Sequence, residues 1–400
     1  MSTVDAAGLE IGPGCPTRIM GVLNLSAASP YDPSVFEDPD AAATYVDEKL
    51  IEEGADIVDV GLESANKRFD VLSPEQERDR LDRAISVLEQ VKGEAIFSIE
   101  TRYAEVASAA LSGGFDMVND ICGFADPEMP EVCEAHEAAV VKMASPPDIN
   151  RPGAVEETDW GSHRSPEWAE EADHVDMVYA ALEREGLTDR TIVDPAFGGW
   201  SEAQTLADDR ETFRRLDEFR ALDRPILVSI NRKNFLRRLA GRSTAEALPV
   251  SLAATALAVD RGVDVLRTHD VAETWDAIQV ADEFGTETVL GPGIRSLEVD
   301  SVRALERHLR RVGADPDAAG KAISCAFQIE GLRREAIDDL HGLADGNDLV
   351  VAGNDPVIFG GTRAGLAGAA PRLANVSDRL EPLTRALAPI SNEKTYTGGG

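Results

Sequence analysis

Between residues 18 and 284 the sequence alternates short apolar runs with segments of helical spacing, and this restricts the chain to folds made of strand–helix units. The apolar runs fall at 18–25, 56–60, 95–99, 117–118, 139–143, 191–193, 225–230 and 264–266. Helical segments follow at 40–53, 73–91, 103–111, from about 127, 166–185, 206–221, 251–261 and 272–284, the second opened by a Ser73-Pro74-Glu75 cap. Eight strands, each followed by a helix, over a span of about 270 residues predict an α/β fold of the (β/α)8 TIM barrel type. A doubly wound open sheet is the competing architecture.

The conspicuous polar residues, Asn24, Glu63, Glu100, Asn119, Asp194, Lys233, Arg267 and His269, all come just after apolar runs. Surface charge without a function would not gather at strand C-termini, so the C-terminal mouth of the barrel is the expected site. Arg267 and His269 are two apart in Val265-Leu266-Arg267-Thr268-His269-Asp270-Val271, so on an extended backbone both face the same way. A bidentate guanidinium beside an imidazole suits one anion, such as a phosphorylated substrate. The alternative is a pair that neutralises nearby carboxylates. The long polar stretch 144–165 has the length of a functional loop.

Composition excludes several partners. With 73 Asp+Glu against 39 Lys+Arg the formal net charge is -34, which repels nucleic acid and anionic membranes. Lysine is confined to Lys49, Lys67, Lys92, Lys142, Lys233, Lys321 and Lys394, and arginine carries most of the positive charge. Acid excess with scarce lysine is the profile of a halophilic cytoplasmic protein, whose self-repulsion molar salt screens. Cys15, Cys122, Cys133 and Cys325 lack metal-site spacing and read as reduced, mostly buried thiols. No run reaches the ~18 apolar residues of a membrane span. Lys142, at a strand end, reads as a lysine that snorkels to solvent, and His136, His163, His174, His308 and His341 as solvated or packing residues.

Seven collinear motifs narrow the reading: Met20-Gly21-Val22-Leu23-Asn24, Gly54-Ala55-Asp56-Ile57-Val58-Asp59-Val60-Gly61-Leu62-Glu63-Ser64, Val118-Asn119-Asp120-Ile121, Asp126-Pro127-Glu128-Met129, Asp194-Pro195, Ile230-Asn231-Arg232-Lys233 and Arg267-Thr268-His269-Asp270-Val271. In this order they resemble dihydropteroate synthase over about residues 17 to 283. The resemblance implies a barrel that joins 6-hydroxymethyl-7,8-dihydropterin pyrophosphate to p-aminobenzoate with release of pyrophosphate. By the same resemblance Asn119, Asp194 and Lys233 bind the pterin, Met143 packs against it, and Glu100 stands where the family has a pterin-facing aspartate. Asn24 assists Mg2+, Arg267 and His269 hold the phosphates, and Ala65, Asn66 and Asn234 fall at other substrate-binding positions. The chemistry agrees, since charge develops on the leaving pyrophosphate and calls for cations there. Family members are typically homodimers through late barrel helices.

The departures cluster in the loops. Ala28 replaces the first loop's aspartate within Ser26-Ala27-Ala28-Ser29-Pro30, and Ser64-Ala65-Asn66-Lys67 replaces Ser-Thr-Arg-Pro, with Arg68 as the replacement guanidinium. Asp194-Pro195-Ala196-Phe197-Gly198-Gly199-Trp200-Ser201 departs from Asp-Pro-Gly-x-Gly-Phe-Gly-Lys, and Ala144 replaces a histidine. Trp200 and Tyr31 are candidates for an aromatic wall, and Glu63 or Asp32 for the missing acid. A pterin-binding methyltransferase and a non-catalytic pterin-binding barrel remain the alternatives; the first has no use for a pyrophosphate clamp.

The expected division is a leader at 1–16, the pterin-binding barrel at 17–284, an α/β appendage of unknown role at 285–390 and a disordered tail at 391–400. In the appendage, 298–311 reads as an amphipathic helix, 318–343 as mostly helical, and 348–352 as strand-like. The Gly360-Gly361-Thr362-Arg363-Ala364-Gly365 run reads as a turn before a helix rather than a phosphate loop.

Overall fold

The computed structural model describes residues 3–25, 35–63, 71–198, 203–285, 289–291, 294–295, 299, 301–329, 331–344, 349–353 and 357–387. The chain forms two compact units, Met1–Ser296 and Leu297–Gly400.

In the first unit, strands β1 (Val4–Ala6) and β2 (Leu9–Ile11) form an antiparallel hairpin. Eight parallel strands follow: β3 (Arg18–Asn24), β4 (Ile57–Gly61), β5 (Ile96–Thr101), β6 (Met117–Asp120), β7 (Ala139–Met143), β8 (Thr191–Asp194), β9 (Leu227–Ser229) and β10 (Val265–Thr268). Their order is β8-β7-β6-β5-β4-β3-β10-β9, and a parallel bridge between Val193 and Ile226 joins the two ends into a (β/α)8 barrel. The helices are α1 (Pro39–Tyr45, continued by a π-helical turn Val46–Ile51), α2 (Pro74–Leu88), α3 (Ala104–Ser112), α4 (Met129–Ala135), α5 (Trp160–His163), α6 (Pro166–Glu171), α7 (His174–Glu183), α8 (Leu206–Arg214), α9 (Asn234–Ala240), α10 (Leu248–Asp260) and α11 (Val271–Phe284). Ser73 and Gln76 close a reciprocal capping box on α2. A short hairpin of β11 (Val289–Gly291) and β12 (Ile294–Arg295) ends the unit.

A three-residue device sets several helix-to-strand corners. Gly54-Ala55-Asp56, Gly114-Phe115-Asp116 and Gly262-Val263-Asp264 each begin with a glycine at positive φ (109°, 104° and 80°), which ends the preceding helix. Each aspartate then accepts a backbone N–H from the neighbouring strand: Ile19 at 2.9 Å, Phe97 at 2.9 Å and Ile226 at 2.8 Å. One short motif thus stops a helix and fixes the start of a strand.

Residues 1–16, read from sequence as a leader, contain the β1–β2 hairpin, which belongs to the barrel core. Val4, Ala6 and Ile11 are buried against Met20, Ile57, Met117, Val141, Ile192, Leu227 and Val265, the inward-facing residues near the strands' N-terminal ends. Arg190 and Arg18 fasten the hairpin by donating to the carbonyls of Asp5 (2.8 Å) and Glu10 (3.1 Å). The barrel therefore has a dry floor, and its polar chemistry is restricted to the other end. The single helix read at 166–185 is two, α6 and α7, because Asp173 starts a new capping box with Asp176. Behind the wall, Lys142 corrects its sequence reading: it is fully buried, donates to the carbonyls of Arg184 and Gly186 (2.9 Å to the latter), and lies 4.5 Å from the Phe124 ring centre. Lys142 alternates with the inward-facing Val141 and Met143, so it points to the helix layer and caps the end of α7 instead of reaching water.

The second unit holds α12 (Val302–Arg311), α13 (Ala319–Ala322), β13 (Ser324–Ile329), α14 (Arg334–Ala344), β14 (Leu349–Gly353), β15 (Val357–Thr362), α15 (Arg363–Val376) and α16 (Glu381–Leu387). Its antiparallel sheet has the order β13-β15-β14, and Leu340, Val357, Phe359, Leu366 and Leu373 form its core. The stretch 318–343, read as mostly helical, contains β13; pairing with β15 outweighs its local propensity. Thr362 N-caps α15 by accepting the Gly365 N–H at 3.1 Å, which gives the glycine run a structural job.

Candidate active site

Two residues above the apolar floor, the same strand faces turn polar. Asp59, Ser98, Asn119, Asp194, Ser229 and Arg267 follow Ile57, Ile96, Met117, Ile192, Leu227 and Val265 at the next inward position of six strands. The Arg267 guanidinium is at the centre: Nε donates to Asp59 Oδ2 at 2.7 Å and Nη2 to Glu100 Oε2 at 2.6 Å. Asn119 Nδ2 donates to the same Asp59 oxygen at 2.9 Å, which joins four residues in one chain. This is the carboxylate-pairing alternative for Arg267. Nε and one N–H of Nη2 are committed to carboxylates, so an anion would meet the remaining Nη1/Nη2 edge.

Burial governs the protonation states. It pushes the Glu100 carboxyl up to about 7, against the lowering effect of Arg267, while Asp59 and Glu63 add to the rise. Asp194, at the end of β8 with its Oδ1 accepting the Ala196 N–H at 2.8 Å, is raised to about 6 by burial against the pull of Lys233. Lys233, the N-cap residue of α9, is lowered to about 8 by burial, with Asp194 opposing the shift. Its stem packs over Gly198 (φ 100°), where a Cβ would lie 2.7 Å from Lys233 Cδ. His269 is pushed down to about 3 by burial and by the charges of Arg267, Arg232 and Lys233, so at neutral pH it is a neutral imidazole that donates one N–H.

The structure gathers Asn24, Glu100, Asn119, Met143, Asp194, Lys233, Arg267 and His269 at the C-terminal ends of the barrel strands and the turns that follow them. Met143 is buried beside Asp194 in the strand register. A side chain at Gly61 would meet Asn24 Oδ1 at 3.3 Å and Glu100 Oε1 at 3.8 Å, so these oxygens border one gap. Asn234 is not drawn in: it is exposed, and its Oδ1 accepts from Arg237 at 3.0 Å. Ala65 and Asn66 lie outside the described residues, as do Ala28, Tyr31, Asp32, Arg68 and Trp200. Glu63 is not a spare acid, because it is buried in an ion pair with Arg102. Arg232 forms a two-toothed pair with Asp270 (3.0 and 2.7 Å) and so ties the turn after β9 to the start of α11.

Asp59 is the site residue that the sequence reading passed over. It sits inside an apolar run, but its parity with Ile57 and Gly61 on β4 marks it as inward-facing. Asp59 Oδ1, Ser98 Oγ and Ser229 Oγ are buried without a hydrogen-bond partner among the described residues. Orphaned acceptors and hydroxyls in an otherwise apolar barrel suit a flat ligand rich in donors and acceptors.

Comparison with known proteins agrees with this geometry. The family described as pterin binding enzyme matches residues 20–269. A probable bifunctional folylpolyglutamate synthase/dihydropteroate synthase of Halobacterium salinarum is 34% identical over 271 residues, 68% of this chain and 32% of the relative. The chain thus spans about a third of that relative's length. A dihydropteroate synthase of Neisseria meningitidis serogroup B is 31% identical over 290 residues, 70% of this chain and 97% of the relative. Among solved structures, Thermus thermophilus dihydropteroate synthase in complex with 4-aminobenzoate superposes with TM-score 0.55 and 29% identity, covering 71% of this chain and all of that one. With a match across the barrel and a relative above 30% identity that is covered almost whole, the chain belongs to the dihydropteroate synthase family of pterin-binding enzymes.

Proposed function

We propose that the protein condenses 6-hydroxymethyl-7,8-dihydropterin pyrophosphate with p-aminobenzoate in folate biosynthesis. The observation that carries this reading is the Asn119–Asp59–Arg267–Glu100 chain set above a dry barrel floor. Asp59, Asn119 and Asp194 present carboxylate and amide edges to the pterin ring, Met143 covers a face, and Lys233 adds a cation. The arylamine nitrogen attacks the pterin methylene carbon as its bond to the pyrophosphate oxygen breaks, and the nitrogen then loses a proton. The free edge of Arg267 and the His269 N–H face the departing pyrophosphate, where negative charge grows.

Mg2+ belongs to this reading. Asn24 Oδ1 and Glu100 Oε1 border the Gly61 gap, and an oxygen-only set with few carboxylates suits an ion that keeps water and phosphate ligands. Among the described residues no group of three or more His, Cys, Asp or Glu forms a cage, so Asn24 and the substrate's own phosphates would hold it. When bound, the ion neutralises charge on the pyrophosphate.

Exposed Leu257 on α10 with Trp275, Val280 and Phe284 on α11 supports a homodimer through these late helices, testable by sedimentation in high salt. The halophilic and cytoplasmic readings rest on the charge of -34, and no helix among the described residues is long and apolar enough to cross a membrane. The deciding experiment is pyrophosphate release in molar KCl and Mg2+, with the pterin pyrophosphate alone and then with p-aminobenzoate. Release that requires the arylamine and is lost in Arg267→Ala supports the synthase. Binding of the pterin pyrophosphate without arylamine-dependent release refutes it in favour of a binding protein.

A further inference from the structure

A buried ion pair in the wall of the mouth has no part in the chemistry above. Arg102 follows β5 and is 2% exposed; its Nη2 pairs with Glu63 Oε1, and Glu63 is 8% exposed. Arg102 Nη1 donates to the Ile149 carbonyl at 2.9 Å, and the same carbonyl accepts from Cys122 Sγ at 3.3 Å. The second Glu63 oxygen accepts the Leu72 N–H at 2.9 Å, and the Leu72 carbonyl accepts the Tyr103 hydroxyl at 2.6 Å. Adjacent residues at the end of β5 therefore hold Glu63 and Leu72 side by side and tie them to Ile149 in the long connection after β7. Connections following β4, β5 and β7 meet at one guanidinium, and Cys122 after β6 shares the Ile149 carbonyl with it.

Such a pair is a poor choice for stability alone, since apolar groups of the same volume often do as well without the desolvation cost, and Arg102 Nε has no partner among the described residues. What a planar fork supplies is direction, because each nitrogen fixes a different piece of backbone. The pterin-facing groups Asp59, Asn119, Met143 and Asp194 lie on strands and need no such help. The connections at the mouth do, and a second substrate must approach the pterin methylene past them.

We propose that Glu63 and Arg102 are positioning residues for the arylamine: their ion pair fixes Glu63, Leu72 and Ile149 at the rim of the mouth, and with them acceptance of the second substrate. This rests on the synthase reading. The test uses the full chain in molar KCl with two variants, Glu63→Gln/Arg102→Met, which removes both charges together, and Arg102→Lys, which keeps the charge but loses the fork. Three quantities are measured: kcat, KM for p-aminobenzoate, and Kd for the pterin pyrophosphate by calorimetry. The expected result is a rise in arylamine KM of about tenfold or more in the double variant, a smaller rise in Arg102→Lys, and a pterin Kd within about twofold of wild type. Unchanged arylamine KM with only a lower melting temperature makes the pair structural and overturns the proposal, as does an equal loss for both substrates. If the double variant does not fold, the same ratio in Arg102→Lys decides. Wild type that shows no arylamine-dependent release overturns the synthase reading and the proposal together, which separates that failure from failure of the pair alone.

Discussion

The floor and the polar layer of this barrel are built from the same strands, one pleat apart. On β4 the inward residues are Ile57 and then Asp59; on β6, Met117 and Asn119; on β8, Ile192 and Asp194; on β10, Val265 and Arg267. A step of two residues, roughly 6.6 Å, separates side chains that stabilise the fold from side chains that bind and react. The lower set packs with the hairpin in one apolar cluster, whereas the upper set and the residues just beyond it include two carboxyls, Glu100 and Asp194, and a lysine, Lys233, shifted towards neutral pH by burial. The division lets the upper layer carry unsatisfied polar atoms without loosening the whole barrel, because the hydrophobic contribution sits elsewhere.

The sharpest way to break this comparison is to exchange effects across it. Arg267→Ala should lower the rate of pyrophosphate release by about 10²–10³. It should also destabilise the fold by about 3–5 kcal/mol, because Asp59 and Glu100 lose their cation while still buried. Ile57→Ala, one pleat below Asp59, should cost about 2–4 kcal/mol of stability and leave KM for both substrates unchanged. Steady-state kinetics and chemical denaturation of the two variants decide the matter: a pterin KM that moves with Ile57 would mean the floor is part of the site.

A pH profile tests the electrostatics of the upper layer alone. Activity that needs ionised Glu100 and Asp194 with protonated Lys233 should rise through about 6 to 7 and fall above about 8, giving a narrow bell. Asp59 is one of the charges that raise Glu100. In Asp59→Asn the acid limb should therefore move to lower pH while the alkaline limb stays, and a limb that does not move would take Glu100 out of the profile.

How much of this division was legible in the sequence follows from which signals are periodic. Strands ending in Asn24, Asp194 or Arg267 stand out because an apolar run stops at a polar residue. Asp59 and Lys142 are harder to place because each is flanked by apolar strand residues, where only the parity of the strand tells inward from outward. Parity places Asp59 with Ile57 in the barrel and Lys142 behind it, against the Arg184 and Gly186 carbonyls. The β1–β2 hairpin was missed because Val4-Asp5-Ala6 and Leu9-Glu10-Ile11 are too short to register as strands, although their alternation around Gly8 is the pattern of a hairpin with one buried face. Arg102 and Glu63 pair across 39 positions, a contact that no local pattern encodes.

Polarity buried behind the wall should behave differently from polarity inside the mouth. Glu77 on α2 is almost fully buried and accepts the Thr101 hydroxyl at 2.6 Å, and burial raises its carboxyl to about 8. Its folded pKa lies above the unfolded value of 4.5, so its contribution is fully present below about pH 4.5 and is lost as pH rises through about 8. Glu77→Gln keeps the shape and an acceptor for Thr101 but has no proton to lose. The variant should match wild type near pH 4 and exceed it above pH 8 by on the order of 2–4 kcal/mol, with the bell-shaped rate profile unchanged. Denaturation curves across that pH range measure the first effect, and a displaced bell would show that the outer wall tunes the site.

The smallest expected effect concerns Ala196, where the family resemblance calls for glycine. Ala196 has φ 56°, a left-handed conformation that costs an L-residue roughly 1–2 kcal/mol. Glycine would remove that cost, but it would also gain freedom in the unfolded chain worth about 0.4–1 kcal/mol and give up a buried methyl worth about 0.8 kcal/mol. These terms nearly cancel, so Ala196→Gly should shift stability by less than about 0.5 kcal/mol. The Ala196 N–H that binds Asp194 Oδ1 at 2.8 Å is a backbone group present in either residue, so Asp194 keeps its orientation and pterin affinity should hold. If calorimetry instead finds weaker pterin binding in the glycine variant, the alanine methyl is part of the pocket wall, and the turn after β8 joins the strands in shaping the upper layer.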